Sequence, residues 1–199
     1  MKRMERRGKL VIVTGIPGVG KTTVLNSAMN YCKEFGIEVK YINYGDLMFE
    51  EALSRGLVSN RDEIRKLSIK DQIDLQLNAA NKISEIAKDK NVILDTHMFI
   101  RTNSGYMAGI PAWIAEILMP NSIVLIEANP EEISKRRRKD ANVRIREDDS
   151  PEKIYEHQLI GRAGAASLAI LTGCTVLILE NKEGAYDELG RIIALLFKG

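Results

Sequence analysis

The chain has 199 residues, 45% of them hydrophobic and 28% charged, with a formal net charge of +2. This size and apolar content suit one compact α/β domain, and so small a charge argues against a general nucleic-acid binder. No apolar run reaches the ~20 residues of a membrane span, no signal peptide is evident, and Cys32 and Cys174 are too few for a disulfide framework or zinc site. These features predict a cytoplasmic protein.

The first predicted element is a strand, Leu10–Thr14, whose apolar and β-branched residues suit a buried parallel strand. Directly after it, residues 15–22 match the motif G-x-x-x-x-G-K-[ST] at every fixed position. From Thr22 onward the composition is that of a helix opening from the loop. Because strand, loop and helix follow one another without a gap, the pattern predicts a nucleoside triphosphate site rather than an incidental glycine-rich turn.

Each part of this loop has a chemical role. Glycines let successive backbone N–H groups curl around a phosphate, and the helix N-terminus adds positive potential. Lys21 is expected to reach the β- and γ-phosphates and act in catalysis, and the Thr22 hydroxyl to help hold Mg²⁺. The residues predicted to bind the triphosphate are Gly15, Ile16, Pro17, Gly18, Val19, Gly20, Lys21, Thr22 and Thr23.

The second predicted strand, Val39–Asn43, leads into a charged helical insert of about residues 44–68. Two short helices are expected there, split near Gly56. In a kinase this insert would cover the acceptor. Asp46 is then predicted to cap the first helix and shape the acceptor pocket, with capping alone as the alternative. Arg61 and Arg65 are candidates to bind the acceptor phosphate, with a solvated charged face as the alternative.

An amphipathic helix over about residues 70–88 precedes the third predicted strand, Val92–Asp95. A buried strand that ends in an acid is typical of a Walker B aspartate. At the carboxyl edge of a parallel sheet, Asp95 would lie beside the phosphate loop, where it can hold Mg²⁺ through water. An aspartate that merely starts a turn is the alternative.

A loop-like run follows Asp95 at the same edge. Its prominent residue is Arg101, since a guanidinium can grip phosphate oxygens with two nitrogens. Arg101 is therefore a candidate both for binding the acceptor phosphate and for catalysis. His97 is interpreted as a structural hydrogen-bonding group in preference to a polar group supporting the site, and His157 has no assigned role.

The fourth and fifth predicted strands are Ser122–Glu127 and Thr175–Glu180. Asn129 and Pro130 open a helix after the fourth strand, and Ser150 and Pro151 open a long helix that runs to about Leu171 and is ended by Gly173. Helices that alternate with five strands predict an α/β fold, a five-stranded parallel sheet covered on both faces.

The densest basic cluster, residues 135–139, lies at the end of the helix after the fourth strand. We expect a short lid of about residues 136–149 here. Arg138 and Arg144 are its candidates for stabilising charge on the transferring phosphoryl group. An exposed basic helix face and an RNA contact are the alternatives.

Taken together, several stretches resemble the archaeal type of adenylate kinase: Val13–Thr22, Ile42–Asp46, Arg61–Leu67, Asp95–His97 and Arg101–Tyr106. The Tyr-Gly-Asp and Asp-Thr-His sequences are far more specific than the phosphate loop. The resemblance implies a single nucleoside monophosphate kinase domain over residues 1–199 and Mg²⁺-dependent transfer between ATP and AMP, giving two ADP. It also implies a cytoplasmic homotrimer. The lack of a long apolar run argues against a membrane partner, and the small net charge argues against a nucleic-acid partner. The polar lid segment contains no cysteine, so a zinc lid is excluded.

Other functions need features that differ from these. A regulatory GTPase needs D-x-x-G after the third strand and an aspartate after Asn181-Lys182-x, but Met98 and Gly184 occupy those positions. Residues 181–184 are expected instead to lie beside the base. A P-loop ATPase or broad-specificity nucleoside monophosphate kinase acting in RNA or ribosome assembly is the main alternative, and a small-metabolite kinase is a further one.

Overall fold

The computed structural model describes residues 6–102, 104–139 and 150–198. Its strands are β1 (Leu10–Thr14), β2 (Val39–Asn43), β3 (Asn91–Asp95), β4 (Phe99–Thr102), β5 (Gly105–Ala108), β6 (Ser122–Glu127) and β7 (Thr175–Glu180). Its α-helices are α1 (Lys21–Glu34), α2 (Tyr44–Ser54), α3 (Ile69–Ile86), α4 (Ala112–Leu118), α5 (Pro130–Lys139), α6 (Pro151–Thr172) and α7 (Tyr186–Leu195), and a 3₁₀ helix spans Arg61–Lys66. No helix within the described ranges is long and apolar enough to cross a membrane.

Five strands form one parallel sheet in the order β2-β3-β1-β6-β7. This confirms the α/β fold and all five predicted strands. The register aligns Asp95 with Val13 of β1 on one side and with Asn43 of β2 on the other. The carboxyl ends of these three neighbouring strands therefore meet at one edge, where open α/β sheets bind ligands.

Both faces of the central strand β1 are buried. Leu10 and Ile12 pack into a cluster with α3 and α4, whereas Val11 and Val13 pack into a second cluster with α1 and α7. Successive strand residues point to opposite faces, so a strand covered on both sides must be apolar throughout. This double cover fixes β1, and with it the start of the phosphate loop.

Helix ends follow their sequence signals with one correction. The Ser150 side chain accepts a hydrogen bond from the Lys153 N–H, and Gly173 ends α6 in the left-handed region. The prediction that Asp46 caps α2 is wrong. Asn43 is the cap, since its Oδ1 accepts a hydrogen bond from the Asp46 N–H at 3.1 Å. Asp46 lies in the first turn, where a carboxylate interacts favourably with the positive end of the helix dipole.

The residues after Asp95 form a two-stranded antiparallel hairpin, β4–β5, and not the loop expected from their composition. Both strands are only four residues long and largely exposed, so they lack a strong alternating pattern. The hairpin is held by α6, from which the His157 Nε2–H donates to the Phe99 carbonyl at 3.1 Å. This contact joins residues 58 positions apart, which a local sequence pattern does not reveal.

Candidate active site

The phosphate loop connects β1 to α1. Gly18 and Gly20 have φ of 90° and 84°, in the left-handed region that favours glycine. At Gly20 the surroundings also leave no room for a side chain, because a Cβ there would lie 2.5 Å from the Asn181 Nδ2. Among the described residues, no side chain caps α1, so no side chain competes for the backbone N–H groups of its first turn, which a phosphate could bind.

Lys21 is the first residue of α1, and its ammonium pairs with Asp95 Oδ1 across the edge of the sheet. The side chains are 12% and 7% exposed, so the ion pair is largely shielded from water. A phosphate held in the loop would compete with Asp95 for this ammonium. The structure thus brings together two predicted site residues that are 74 positions apart.

Thr22 and Asp95, the predicted metal ligands, supply a hydroxyl and a carboxylate oxygen. Thr22 is exposed in the first turn of α1, directly after Lys21. Within the described ranges, no group of three or more His, Cys, Asp or Glu residues is arranged to hold a metal. Two hard oxygen donors fit Mg²⁺, which usually takes one or two protein ligands and completes its octahedron with phosphate oxygens and water.

The second oxygen of Asp95 has partners that sequence reasoning missed. The Tyr41 hydroxyl donates to Oδ2 at 2.8 Å and the Asn43 Nδ2 donates to it at 3.1 Å. Burial and the hydrogen bond to Asp95 raise the pKa of Tyr41 to about 12, so this phenol remains a donor at neutral pH. The contact with Tyr41 and Asn43 could have been inferred from two features together: the pairing of β2 with β3, and the two-residue period that puts both side chains on one face of β2.

His97 supports the loop from behind. Its Nδ1–H donates to the Gly15 carbonyl at 2.9 Å, and the next residue, Met98, donates its N–H to Thr14 Oγ1 at 2.8 Å. Burial, followed by the positive charge of Lys21, lowers the pKa of His97. The ring is therefore neutral near pH 7, and its structural contact is with the phosphate loop itself.

Two further side chains hold the other loop carbonyls. The buried Asn181 donates its Nδ2–H to the Val19 carbonyl at 2.7 Å, and Arg137 donates its Nε–H to the Pro17 carbonyl at 2.8 Å. Asn181 was expected to lie beside the base, but the described contact is with the loop. Arg137 and its neighbour Arg136, which contacts Val19, are the members of the basic cluster that reach this loop.

Of the two residues predicted to act in the lid, the structure describes one. Arg138 is exposed near the end of α5, and Arg144 falls outside the described residues. An α-helix makes one turn every 3.6 residues, so consecutive arginines of α5 point in different directions and cannot all face the loop. A sequence cluster by itself does not distinguish them.

The acceptor-side residues are more exposed. Asp46 and Arg61 form an ion pair whose side chains are 55% and 54% exposed, which links α2 to the 3₁₀ helix. Arg61 also packs over Gly45, where a Cβ would meet its guanidinium at 2.4 Å. Arg65 on the 3₁₀ helix and Arg101 on β4 are both exposed. The structure therefore joins Asp46 to Arg61, and it places Arg65 and Arg101 on two other elements, the 3₁₀ helix and β4.

Comparisons with known proteins identify the family of this chain. A family model described as an AAA domain matches residues 14–155. The adenylate kinase of Methanocaldococcus jannaschii is 46% identical over 92% of this chain and 94% of its own length. That of Thermoplasma acidophilum is 49% identical over 89% of this chain and 92% of its own length. The chain belongs to the adenylate kinase family. It is therefore a phosphotransferase, and the resemblance inferred from sequence is confirmed.

Solved structures with little sequence identity share the fold. Shikimate kinase from Acinetobacter baumannii, solved in complex with shikimate, has a TM-score of 0.58 at 18% identity and covers 96% of this chain and 93% of its own. Shikimate kinase from Bacteroides thetaiotaomicron has a TM-score of 0.57 at 15% identity, with 96% and 99% covered. The adenylate kinase family thus shares its P-loop kinase architecture with enzymes of distant sequence.

Proposed function

We propose that this protein transfers the γ-phosphoryl group of ATP to AMP, giving two ADP, with Mg²⁺ bound to the triphosphate. The observation that carries the proposal is the pairing of Lys21 with Asp95 at a phosphate loop, beside an arginine-bearing insert at the same edge of the sheet. Adenylate kinases that are 44–49% identical over about nine-tenths of the chain support AMP as the acceptor.

The donor half of the site would work through charge and alignment. Residues 15–23 would bind the triphosphate through backbone N–H groups, and Lys21 would leave Asp95 to reach the β- and γ-phosphates. Thr22 and Asp95 would hold Mg²⁺, which when bound neutralises charge on those phosphates. Lys21 would then stabilise the negative charge that shifts between phosphate oxygens in the transition state.

The acceptor half would orient a nucleophile that needs no activation. A monophosphate oxygen is already anionic at neutral pH, so no general base is required. We propose that Arg61, Arg65 and Arg101 bind the acceptor phosphate and that Asp46 helps to form its pocket within the insert at about residues 44–68. Guanidinium groups suit this task, since each can bind two phosphate oxygens.

Closure of a lid at about residues 136–149 would complete the site. We place Arg138 and Arg144 there, together with Arg136 and Arg137, which already contact the loop. Closure would bring Arg138 and Arg144 to the phosphates only when both nucleotides are in place, which would limit wasteful transfer to water.

The remaining parts of the proposal concern the setting of the enzyme. We propose a homotrimer in the cytoplasm, where ATP and AMP are available. Exposed aliphatic residues support self-association, since Leu159 and Ile170 lie on α6 and Ile178 lies on the edge strand β7. Light scattering on the purified protein tests the trimer directly, and a monomeric mass would contradict it.

One experiment tests the reaction. ADP formation is measured with ATP and Mg²⁺ in the presence of AMP, GMP, CMP or UMP, and with no acceptor. We expect turnover that depends on AMP and produces two ADP for each ATP consumed. ATP hydrolysis that is indifferent to AMP would favour an assembly ATPase, and equal use of all four acceptors would favour a broad-specificity kinase.

A further inference from the structure

The two oxygens of the Asp95 carboxylate have different partners. Oδ1 faces the ammonium of Lys21, whereas Oδ2 accepts hydrogen bonds from the Tyr41 hydroxyl and the Asn43 amide. Both donors to Oδ2 come from β2, and the only cation among these partners faces Oδ1. The carboxylate is therefore held by one oxygen, and the other is directed toward the phosphate loop.

Sheet geometry accounts for this arrangement. Tyr41 and Asn43 are two residues apart on β2, so their side chains lie on one face, and Ile42 between them packs into the core on the opposite face. Asn43 is aligned with Asp95 in the parallel register, on the same side of the sheet. Two donors from one strand can thus reach one oxygen of a residue on the next.

Asn43 makes a second contact that Tyr41 does not. Its Nδ2 donates to Asp95, while its Oδ1 accepts from the backbone N–H of Asp46 in the first turn of α2. Asp46 in turn pairs with Arg61. A single side chain therefore connects the Walker B carboxylate to the first turn of the helical insert.

We infer that Tyr41 and Asn43 are positioning residues that orient Asp95 for Mg²⁺-ATP, and that Asn43 transmits this orientation to the start of the acceptor insert. This inference rests on the proposed function. When Lys21 moves from Asp95 to the phosphates, Oδ1 loses its cation, but Oδ2 stays held by two donors. Oδ1 then remains aimed at the region where the metal and its water are expected. Neither residue contacts the nucleotide in this account.

Calorimetry with a non-hydrolysable ATP analogue tests the positioning role without measuring activity. The affinity of each variant is measured with Mg²⁺ and again with a chelator, and the ratio reports the metal's contribution. Tyr41→Phe removes one donor to Asp95. Asn43→Ser removes the other, yet serine still caps a helix well. We expect each change to reduce the ratio about tenfold, the lower end of the effect of losing a hydrogen-bonding partner of a metal ligand.

Tyr31→Phe is the matched control. Its hydroxyl also donates to a carboxylate, Asp187 Oδ2 at 2.7 Å, but at the contact between α1 and α7. We expect its ratio to equal that of the wild-type chain. If Tyr41→Phe and Asn43→Ser also keep the wild-type ratio, the inference is overturned while the proposed function stands. If the wild-type affinity itself does not depend on Mg²⁺, this inference is overturned, whereas the proposed function fails only if ADP formation does not depend on AMP.

Hydrogen exchange separates the two residues. In the wild-type chain and in Tyr41→Phe, the Mg²⁺-bound analogue should slow exchange in the first turn of α2. In Asn43→Ser the helix keeps its cap but loses its link to Asp95, so this slowing should disappear. Slowing in Asn43→Ser that equals the wild-type response would overturn the transmitting role of Asn43.

Discussion

The phosphate loop and the acceptor insert are built in contrasting ways. Three loop carbonyls, those of Gly15, Pro17 and Val19, accept hydrogen bonds from side chains on distant elements, and Lys21 is shielded beside Asp95. In the insert, the ion pair between Asp46 and Arg61 is more than half exposed. The loop is thus held in place by long-range contacts, whereas the insert that we propose for the acceptor exposes Arg61 and Arg65 to water.

This difference implies that the loop and the insert differ in how much free energy they need to rearrange when a nucleotide binds. An exposed ion pair contributes ~0–1 kcal/mol, so Arg61 can leave Asp46 for a phosphate at little cost. A loop held by long-range hydrogen bonds needs more free energy to rearrange, and its backbone N–H groups are fixed in their directions. Changes in the loop should therefore reduce the rate constant, and changes in the insert should mainly reduce acceptor affinity.

The largest effect is expected at the centre of the donor half. Lys21→Ala should raise the activation free energy by at least ~3 kcal/mol, because one preorganised charge is lost in the transition state. The corresponding fall in kcat is more than about a hundredfold. The fold should persist, since Tyr41 and Asn43 still hold Asp95. Lys33→Ala, exposed near the end of the same helix, is the control. Near wild-type turnover in Lys21→Ala would sink the assignment.

The basic cluster on α5 tests whether contact with the loop predicts importance. Arg137→Ala should lower kcat about tenfold to a hundredfold, since it removes a donor to Pro17 and a charge beside the triphosphate. Arg138→Ala should have a smaller effect, because Arg138 begins exposed and contributes only on closure. Steady-state kinetics of both variants decide the order. An equal or larger loss in Arg138→Ala would contradict it.

A change in the acceptor half should affect binding more than rate. Arg101→Lys keeps the charge but loses the planar fork, so the KM for AMP should rise about tenfold or more, with a smaller change for ATP. Arg55→Lys, in an exposed pair with Glu51 at the end of α2, is the matched control. Equal effects on the two nucleotides would remove Arg101 from the acceptor site.

The smallest effect concerns pH and stability. Burial is the main cause that lowers the pKa of both His97 and His157. The unfolded chain therefore binds protons near pH 6.5 that the folded chain does not, so stability is full above this pH and falls as the pH drops below it. Tm should fall from about pH 7 to about pH 5.5 in the wild-type chain.

Two substitutions isolate this contribution. In His97→Asn and His157→Gln the amide can replace the donating ring nitrogen without titrating. The fall in Tm between the two pH values should be smaller in the double variant. The same fall in both proteins would show that the histidines do not cause it.

Sequence-based prediction succeeded where the interactions are local and failed where they join residues far apart in the chain. Strand β1, the loop and α1 form one continuous segment, so composition and glycine spacing were enough to predict them. The hairpin β4–β5 was missed because its short strands depend on a contact with α6. Asp46 was taken for a cap because Asn43, three positions earlier, has the same capacity. The contact of Arg137 with the loop was not predicted, because helix orientation is not visible in a run of arginines.

By itself, then, the sequence determined the five strands of the parallel sheet, where the phosphate loop lies and which acid ends the third strand. Those properties depend on local periodicity and on backbone angles that glycine permits. Only the tertiary structure decided that His97, Arg137 and Asn181 converge on loop carbonyls 82, 120 and 162 positions away. Such contacts are set by strand order, register and helix rotation, because hydrogen bonds require atoms within about 3 Å and residues distant in sequence meet only when the sheet aligns them.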